Sequence, residues 1–500
     1  MSEDNPAGDG PGVRFIKWLD SRLGLNYPVL RPVPQYSINP FYWIGALTVV
    51  AFSVQAVTGI ILLVWYVPAV STAYSSTQFI FNNVNYGVFL ETVHLYGAYA
   101  MILLAVMHMM RNYFVSSHKK PRELMWVVGM LMGFVTLGFG FTGYLLPYTV
   151  AGVDATNVGL GLLAPLPPML QTLIKDILGA TNGLNTTELV RLYDIHIVLL
   201  PAALLLLLFA KMYMFETHGA SKPDKPLTES QRRSIPFFPD ATIYLLELSA
   251  LFGAALLLIS AAFPYQLPAE YSITAPNTSA VKPDWYFLWM YQLLKIQAFE
   301  GTTGLMLGLT IITLIFVGLF VLPFVDRGGE RRLASRPKFV LLGLIFVAEL
   351  AVLTYWGEVA AVADVPDEQA AFIIGGVALL VSVVFVVLYK LMFWRLTRKL
   401  SGGTPAGATT TLQRAQIWTA AFFTGLLVGG ALAISASISS VSLLATQGMT
   451  GMGLLDLAGS LAAVGLVLLG TVYLIYRLDL ANGTIKTHVP MLEVGWPSEE

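Results

Sequence analysis

Long runs of apolar residues alternate with short polar segments along most of the chain. A run of about 20 such residues crosses the hydrocarbon core of a bilayer as a single helix. Ten runs are long enough, and we name the predicted helices A to J in chain order. They cover residues 41–66, 87–114, 122–147, 190–217, 241–263, 303–325, 338–357, 370–394, 415–437 and 453–476. The pattern predicts an all-α integral membrane protein with ten transmembrane helices.

The composition supports this class. Of 500 residues, 56% are hydrophobic and 12% are charged, which leaves too little polar surface for a soluble protein of this length. A net charge of −1 gives no basis for a nucleic-acid partner. The chain has no cysteine, which excludes disulfides, thiolate metal sites and cysteine-attached cofactors within it.

The charges in the loops predict the orientation. Lys and Arg are concentrated after helices B, D, F and H, whereas the loop after helix G is acidic. Because cytoplasmic loops are enriched in Lys and Arg, we expect a multi-pass cell-membrane protein with both termini in the cytoplasm. The first 36 residues contain no run suited to a signal peptide, and residues 13–23 fit either an interfacial helix or a polar leader.

Two histidines in helix B are the first candidates for chemistry. His94 and His108 are fourteen residues apart, which corresponds to roughly 21 Å of rise and nearly four turns. Both side chains therefore leave the same face, near opposite sides of the bilayer. An interhelical hydrogen bond would explain one such histidine. Two at this interval are better explained as axial ligands of two stacked haems.

Two haems against helix B require opposing ligands and closely approaching backbone. His196 in helix D lies level with the first of these histidines, near the outer end. Glycine permits close approach of the backbone to a flat cofactor, and helices A and C each carry two glycines fourteen residues apart. These are Gly45, Gly59, Gly129 and Gly143. Chance explains one such pair, but two pairs that match the histidine interval favour the cofactor interpretation.

Three segments carry a resemblance to a known family. They are "HMMRNYFVSSHKKPRELMWVVG" (His108–Gly129), "GYLLPY" (Gly143–Tyr148) and "KPDWYFLWMYQLL" (Lys282–Leu294). They resemble the B–C region of the short, chloroplast-type branch, the helix C exit and the Pro-Glu-Trp-Tyr quinol motif of the cytochrome b subunit of cytochrome bc-type quinol-oxidising complexes. Asp284 replaces the usual Glu, and Tyr148 the usual Trp. The resemblance covers residues 36–360; helices I and J lie outside it.

The resemblance implies two non-covalent b-type haems. His94 and His196 match the ligands of the outer, low-potential haem, and His108 matches a ligand of the inner, high-potential haem. Arg111 stands where the family pairs an arginine with a haem propionate, although ordinary positive charge at a cytoplasmic helix end also explains it. Glu91 stands where another propionate-binding arginine is usual. Either that haem is held differently, or Glu91 is protonated, or its side chain points to water.

The family's fourth ligand position, ten residues after Pro201, is occupied by Lys211. A charged lysine at this depth costs about 2.5–3.5 kcal/mol on insertion scales. It avoids this cost by snorkelling toward the helix end, or by giving the lone pair of its neutral amine to the haem iron. From His196 to Lys211 is fifteen residues, roughly 22 Å. This interval favours coordination, so we predict Lys211 opposite His108.

Oxidation of a quinol releases protons and therefore requires a proton acceptor in an apolar pocket. The motif assigns this role to Asp284 on the outward E–F loop, with Tyr286 of the same motif as a further catalytic residue and Tyr148 as the opposite wall. The alternatives are a surface ion pair between Lys282 and Asp284, and a membrane-interface role for Tyr148.

A second quinone site is expected at the cytoplasmic end of helix D. His218, Lys222 and Asp224 lie there, and a solvated helix end explains them equally well.

The predicted function is that of the cytochrome b of a proton-translocating quinol:acceptor oxidoreductase. The family implies a Rieske iron–sulfur protein as one electron acceptor, an inner quinone as the other, and a homodimer. The membrane quinone pool and a cytochrome c, copper protein or oxidase downstream are the further expected partners. The alternative is a dihaem quinone-reactive anchor of another oxidoreductase, which has no need for a Pro-Asp-Trp-Tyr loop. A transporter would not explain the histidine and glycine intervals.

Four regions are expected along the chain. Residues 1–35 form a cytoplasmic or interfacial segment, 36–235 a four-helix dihaem-binding bundle, and 236–400 the quinol-site loop with helices E to H. Residues 401–500 contain a linker and helices I and J with a cytoplasmic tail, because the segment from 398 to 411 is rich in Gly and Thr.

Overall fold

The computed structural model describes residues 32–179, 185–221, 233–272, 282–329, 331, 333–359 and 364–400. Within these ranges eight helices are long and apolar enough to cross a membrane. They are Pro40–Leu62, Gly87–Phe114, Glu123–Leu145, Thr186–His218, Phe237–Ala262, Gly301–Val325, Pro337–Val359 and Asp367–Lys390. They correspond in order to helices A to H and confirm the all-α membrane class. Residues 13–23, the linker after residue 400 and helices I and J lie outside the described residues.

Local sequence explains where helices A and D begin. The Asn39 side chain accepts a hydrogen bond from the Phe41 amide at 3.0 Å, and Pro40 occupies the first turn of helix A, where a missing amide donor costs nothing. Helix D starts in the same way, since the Asn185 side chain accepts hydrogen bonds from the amides of Thr187 and Glu188.

Helix D contains one irregular turn. Residues Ile195–Leu199 form a π-helical turn between the α-helical segments Thr186–Asp194 and Leu200–His218. Pro201 lies two residues after this turn and has no amide to donate to it. A single π turn adapts the helix to such a residue and is frequent at functional sites. His196 lies within this turn.

The first four membrane helices form one bundle. Helix A packs along helix B and helix C along helix D, and helix E lies against helices A and B. Ala51, Met101 and Leu204 form a shared buried cluster from helices A, B and D. Helix F packs against helix C, and helix G against helix H.

Four short helices in the loops were not expected from the sequence. They are Ala73–Asn83 between helices A and B, Val150–Gly161 and Pro168–Leu178 between C and D, and Trp285–Leu294 between E and F. Each is too short to cross a bilayer. The last of them, which we call helix ef, packs against helix G and carries most of the predicted quinol motif.

On the side of the molecule opposite helix ef, two sets of contacts join segments that are distant in the sequence. Strand β1 (Pro32–Pro34) pairs antiparallel with β2 (Ser234–Pro236), which joins the entrance of helix A to that of helix E. A buried ion cluster joins the B–C loop to the end of helix F. His118 Nε2 lies 3.0 Å from Asp326 Oδ2, and Lys119 Nζ lies 2.9 Å from Asp326 Oδ1.

Arg336 also pairs with Asp326. Burial alone would raise the pKa of Asp326, but hydrogen bonds from Lys119 and His118 and the Arg336 charge hold it below its ordinary value. The carboxylate therefore stays ionised and links the B–C loop to the segment between helices F and G.

Candidate functional site

The two histidines of helix B each face a glycine of helix A. A Cβ built on Gly59 would lie 3.3 Å from His94 Cε1, and one built on Gly45 would lie 2.7 Å from His108 Cε1. A real side chain at either position would crowd the imidazole. The two glycines therefore leave the space that the rings occupy.

Helices C and D repeat this arrangement. A Cβ built on Gly143 would lie 2.7 Å from His196 Cε1, and one built on Gly129 would lie 2.8 Å from Lys211 Nζ. The structure thus brings each of the four predicted ligands against one of the four predicted glycines.

Two threonines that the sequence analysis missed orient the outer histidines. The Thr58 hydroxyl donates its proton to the Val54 carbonyl at 2.7 Å and lies 2.8 Å from His94 Nδ1. Because the hydroxyl proton is already committed, His94 must donate from Nδ1, and the lone pair remains on Nε2. This is the tautomer that binds a metal through Nε2.

His196 has a similar threonine partner and, in addition, a hydrogen bond to the Phe139 backbone. The Thr142 hydroxyl donates to the Gly138 carbonyl at 2.8 Å and lies 2.9 Å from His196 Nδ1. Both outer histidines therefore present an Nε2 lone pair, which fits axial ligation of one haem between them.

The inner pair has different surroundings. His108 Nε2 lies 3.0 Å from Asn112 Nδ2, and His108 Nδ1 is buried without a hydrogen-bond partner among the described residues. Lys211 interacts electrostatically with His108, and within the described residues no hydrogen bond or ion pair of its ammonium group is found. His108 thus keeps one ring nitrogen, Nδ1, without a partner among the described residues, and its Nε2 is held by Asn112.

Arg111 lies beside this inner pair. Its guanidinium stacks 4.1 Å from the centre of the Tyr42 ring and donates to Asn112 Oδ1 at 2.9 Å. At the other end of helix B, Glu91 interacts electrostatically with Tyr66 and Tyr265. Glu91 thus lies near phenols from the loops that follow helices A and E.

The predicted quinol motif forms a polar centre in aromatic surroundings. Tyr99 donates to Asp284 Oδ1 at 3.0 Å, and Tyr286 donates to Asp284 Oδ2 at 3.2 Å. Burial raises the pKa of Asp284, and the hydrogen bonds from Tyr99 and Tyr286 oppose this rise. A Cβ on Gly140 would lie 2.9 Å from the Tyr286 hydroxyl. Tyr99 on helix B was not identified from the sequence.

Tyr148 and the inner-end residues have other partners. Tyr148 is buried, and its ring packs edge-on against Tyr271 at 5.9 Å, whereas Tyr144 is the helix C phenol that interacts with Asp284. His218 is exposed at the end of helix D, and its carbonyl accepts a hydrogen bond from Arg122 at 3.1 Å. Lys222 and Asp224 lie outside the described residues.

Comparison with known proteins gives the family. A family model described as Cytochrome b(N-terminal)/b6/petB matches residues 99–270, and one described as Cytochrome b(C-terminal)/b6/petD matches residues 272–382. A cytochrome bc complex cytochrome b subunit from Chlorobaculum thiosulfatiphilum is 31% identical over 363 residues, which are 71% of this chain and 83% of the relative. The chain belongs to the cytochrome b family.

Two further comparisons extend this result. The menaquinol:cytochrome c reductase cytochrome b subunit of Bacillus subtilis is 36% identical over 222 residues, 42% of this chain and 98% of the relative. A structure titled Hyperthermophilic respiratory Complex III superposes with a TM-score of 0.60 at 23% identity, covering 76% of this chain and 98% of that one. The latter shows a shared fold. The family implies a b-type haem, and the histidine, threonine and glycine geometry of this cytochrome b fits that group.

Proposed function

We propose that this cytochrome b oxidises quinol within a bc-type complex and divides the two electrons between two acceptors. One observation carries the proposal: helix B contributes to both candidate sites. His94 lies against Thr58 and Gly59, and five residues further along, Tyr99 bonds to Asp284. An electron can pass from quinol to a haem held by helix B only if the quinol-binding residues and the haem ligand lie close together, as Tyr99 and His94 do. The Chlorobaculum relative is a subunit of a cytochrome bc complex, and the Bacillus relative belongs to a menaquinol:cytochrome c reductase.

Two b-type haems, when bound, supply a one-electron path across the membrane. His94 and His196 are suited to hold the outer haem, because each keeps its Nδ1 on a threonine and its Nε2 lone pair available. We assign His108 and Lys211 to the inner haem and Arg111 to one of its propionates. The position of Lys211 Nζ against Gly129 supports coordination over snorkelling, because the amine is turned toward helix C.

The chain's own proton chemistry is assigned to Asp284. Its carboxylate accepts one quinol proton as the quinol O–H bond breaks, and Tyr286 orients the carboxylate from helix ef. The surrounding phenols and the apolar helix faces restrict access of water, which strengthens these hydrogen bonds. Tyr148 is assigned to the wall of the same site.

The remaining assignments complete the electron path. One electron goes to a Rieske iron–sulfur protein and then to a cytochrome c, copper protein or oxidase. The other crosses the bundle to a quinone at the end of helix D near His218. Both termini are cytoplasmic, and two copies form a homodimer that draws on the membrane quinone pool. The bundle comprises residues 36–235, and the quinol loop with helices E to H comprises 236–400.

The test is Asp284→Asn in the purified complex, with Asp364→Asn as the matched control because Asp364 is an exposed loop aspartate. A general base contributes about 10²–10⁴-fold to a rate, so the first variant should oxidise quinol at least 100-fold more slowly with both haem spectra intact. The control should retain the parent rate. Unchanged turnover in Asp284→Asn, or a complex with haem but no Rieske protein, would favour the dihaem anchor instead.

A further inference from the structure

Asp284 occupies a position where an aspartate side chain ordinarily caps the start of a helix. It is the N-cap residue of helix ef (Trp285–Leu294), yet its side chain makes no capping hydrogen bond. Aspartate is among the preferred N-cap residues because its carboxylate accepts hydrogen bonds from the first free amides of the helix. Here the carboxylate accepts no hydrogen bond from those amides, so other groups must set its position.

The groups that hold it are two phenols from different helices. Tyr286 is local, two residues along helix ef, and bonds to Oδ2 at 3.2 Å. Tyr99 comes from helix B and bonds to Oδ1 at 3.0 Å. The Tyr99 ring is itself fixed, because it packs edge-on against Trp285 at 6.4 Å and against Tyr286 at 6.2 Å. Tyr99 is therefore the contact that ties the Asp284 carboxylate to the membrane bundle.

We propose that Tyr99 is a positioning residue for quinol oxidation, which draws the Asp284 carboxylate off the cap of helix ef and holds it toward the substrate. The inference rests on the proposed role of Asp284. Helix B then fixes both destinations of the reaction: His94 for the haem that takes an electron, and, five residues away, the phenol that orients the proton acceptor. In the proton transfer, one quinol O–H bond breaks and an Asp284 O–H bond forms as the first electron leaves to one acceptor of the complex. The second O–H proton is released to solvent as the second electron leaves to the other acceptor.

The groups facing Asp284 determine how its ionisation responds to a change at Tyr99. Within the described residues they are four phenols: Tyr99 of helix B, Tyr286 of helix ef, Tyr144 of helix C and Tyr265 after helix E. The Tyr99 and Tyr286 hydrogen bonds lower the pKa of Asp284 against the effect of burial. Loss of the Tyr99 hydroxyl therefore raises this pKa, and the acceptor is ionised only at higher pH.

The experiment compares Tyr99→Phe with Tyr96→Phe in the purified complex, with a short-chain menaquinol analogue as the probe. Tyr96 is a matched control because its ring stacks on Tyr99 at 6.2 Å, while its hydroxyl donates to the Phe263 carbonyl at 2.8 Å and not to Asp284. Tyr99→Phe should lower kcat by about 10-fold, which is less than the roughly 10²–10⁴-fold loss expected when the general base itself is removed, with KM nearly unchanged. Its acid limb of rate against pH should move to higher pH. Tyr96→Phe should match the parent in all three.

A double-mutant cycle separates positioning from a structural role. In an Asp284→Glu background the longer side chain carries the carboxylate further from the helix ef cap, so Tyr99→Phe should cost less than in the parent. An equal loss in both backgrounds, or a Tyr99→Phe enzyme with the parent rate and pH profile, overturns the proposal for Tyr99. If Asp284→Asn itself turns over normally, the proposed function of Asp284 is what fails. The haem spectra of Tyr99→Phe show whether that variant is misfolded. If it is, Tyr99→His, which keeps a hydrogen-bond donor, replaces it: an acid limb at the parent pH supports the proposal, and one shifted to higher pH contradicts it.

Discussion

Lys211 gives the sharpest test of the haem assignment, because a coordinating amine and a buried ammonium group that binds no iron predict opposite effects for the same substitution. If Lys211 is a buried, charged lysine, its cost is about 2.5–3.5 kcal/mol. At 1.36 kcal/mol per decade this is about 70- to 400-fold in the equilibrium for membrane insertion. Lys211→Ala would then stabilise the protein and leave both haem spectra unchanged.

Coordination predicts the reverse. Lys211 lies seven residues before His218, where helix D ends, which is roughly 10 Å of axial rise and more than a lysine side chain spans. Its Nζ instead lies against Gly129. If the amine binds iron, Lys211→Ala removes an axial ligand, converts the inner haem from low spin to high spin, and lowers thermal stability. The His94–His196 haem should be unaltered.

The assay is absorbance and electron paramagnetic resonance spectroscopy of the purified protein, together with its melting temperature. Lys211→His should keep the inner haem low spin, because imidazole replaces the amine. Lys390→Ala is the control, since Lys390 is an exposed lysine near the end of helix H. A low-spin inner haem in Lys211→Ala, with a raised melting temperature, would refute coordination.

Two further predictions concern the outer haem and the topology. Thr142→Val removes one hydrogen-bond partner of His196 Nδ1 and leaves the Phe139 backbone as another partner of the ring. It should weaken outer-haem binding by about 10-fold, the low end of the effect of such supporting hydrogen bonds at metal sites. Thr136→Val, a change at another helix C threonine, whose hydroxyl bonds to its own helix, should not; equal haem retention by both variants would contradict the tautomer argument. Cytoplasmic reporters fused after Arg122, Arg233 and Arg332 should be active, and those inserted between Thr274 and Ala280 inactive; the inverse pattern would put the quinol loop on the wrong side of the membrane.

The sequence determined those features that depend on a single helix. The apolar runs fixed helices A to H to within a few residues, because the thickness of the bilayer sets their length. The interval between His94 and His108 predicted that they share one face, because rise and rotation per residue are constants of the α-helix. The glycine intervals followed by the same reasoning, and the motif around Asp284 is continuous in the chain.

Contacts between helices required the tertiary structure. Tyr99 and Asp284 are 185 residues apart, and His118 and Asp326 are 208 apart. Helical periodicity gives the face on which a residue lies, but not which face of a neighbouring helix it meets. That depends on the packing angles and on the loops, including four short helices that no membrane-length pattern marks.

Thr58 and Thr142 show most clearly what the sequence could determine and what required the tertiary structure. Thr58-Gly59 in helix A and Thr142-Gly143 in helix C repeat the same dipeptide, so a signal was present in the sequence. The function of these threonines could not be predicted from that signal, because a mid-helix threonine usually bonds back to its own helix. Both of these threonines also do so. Only the approach of helices B and D, which brings His94 and His196 to within hydrogen-bond distance of those hydroxyls, turns them into groups that leave each Nε2 available to a metal.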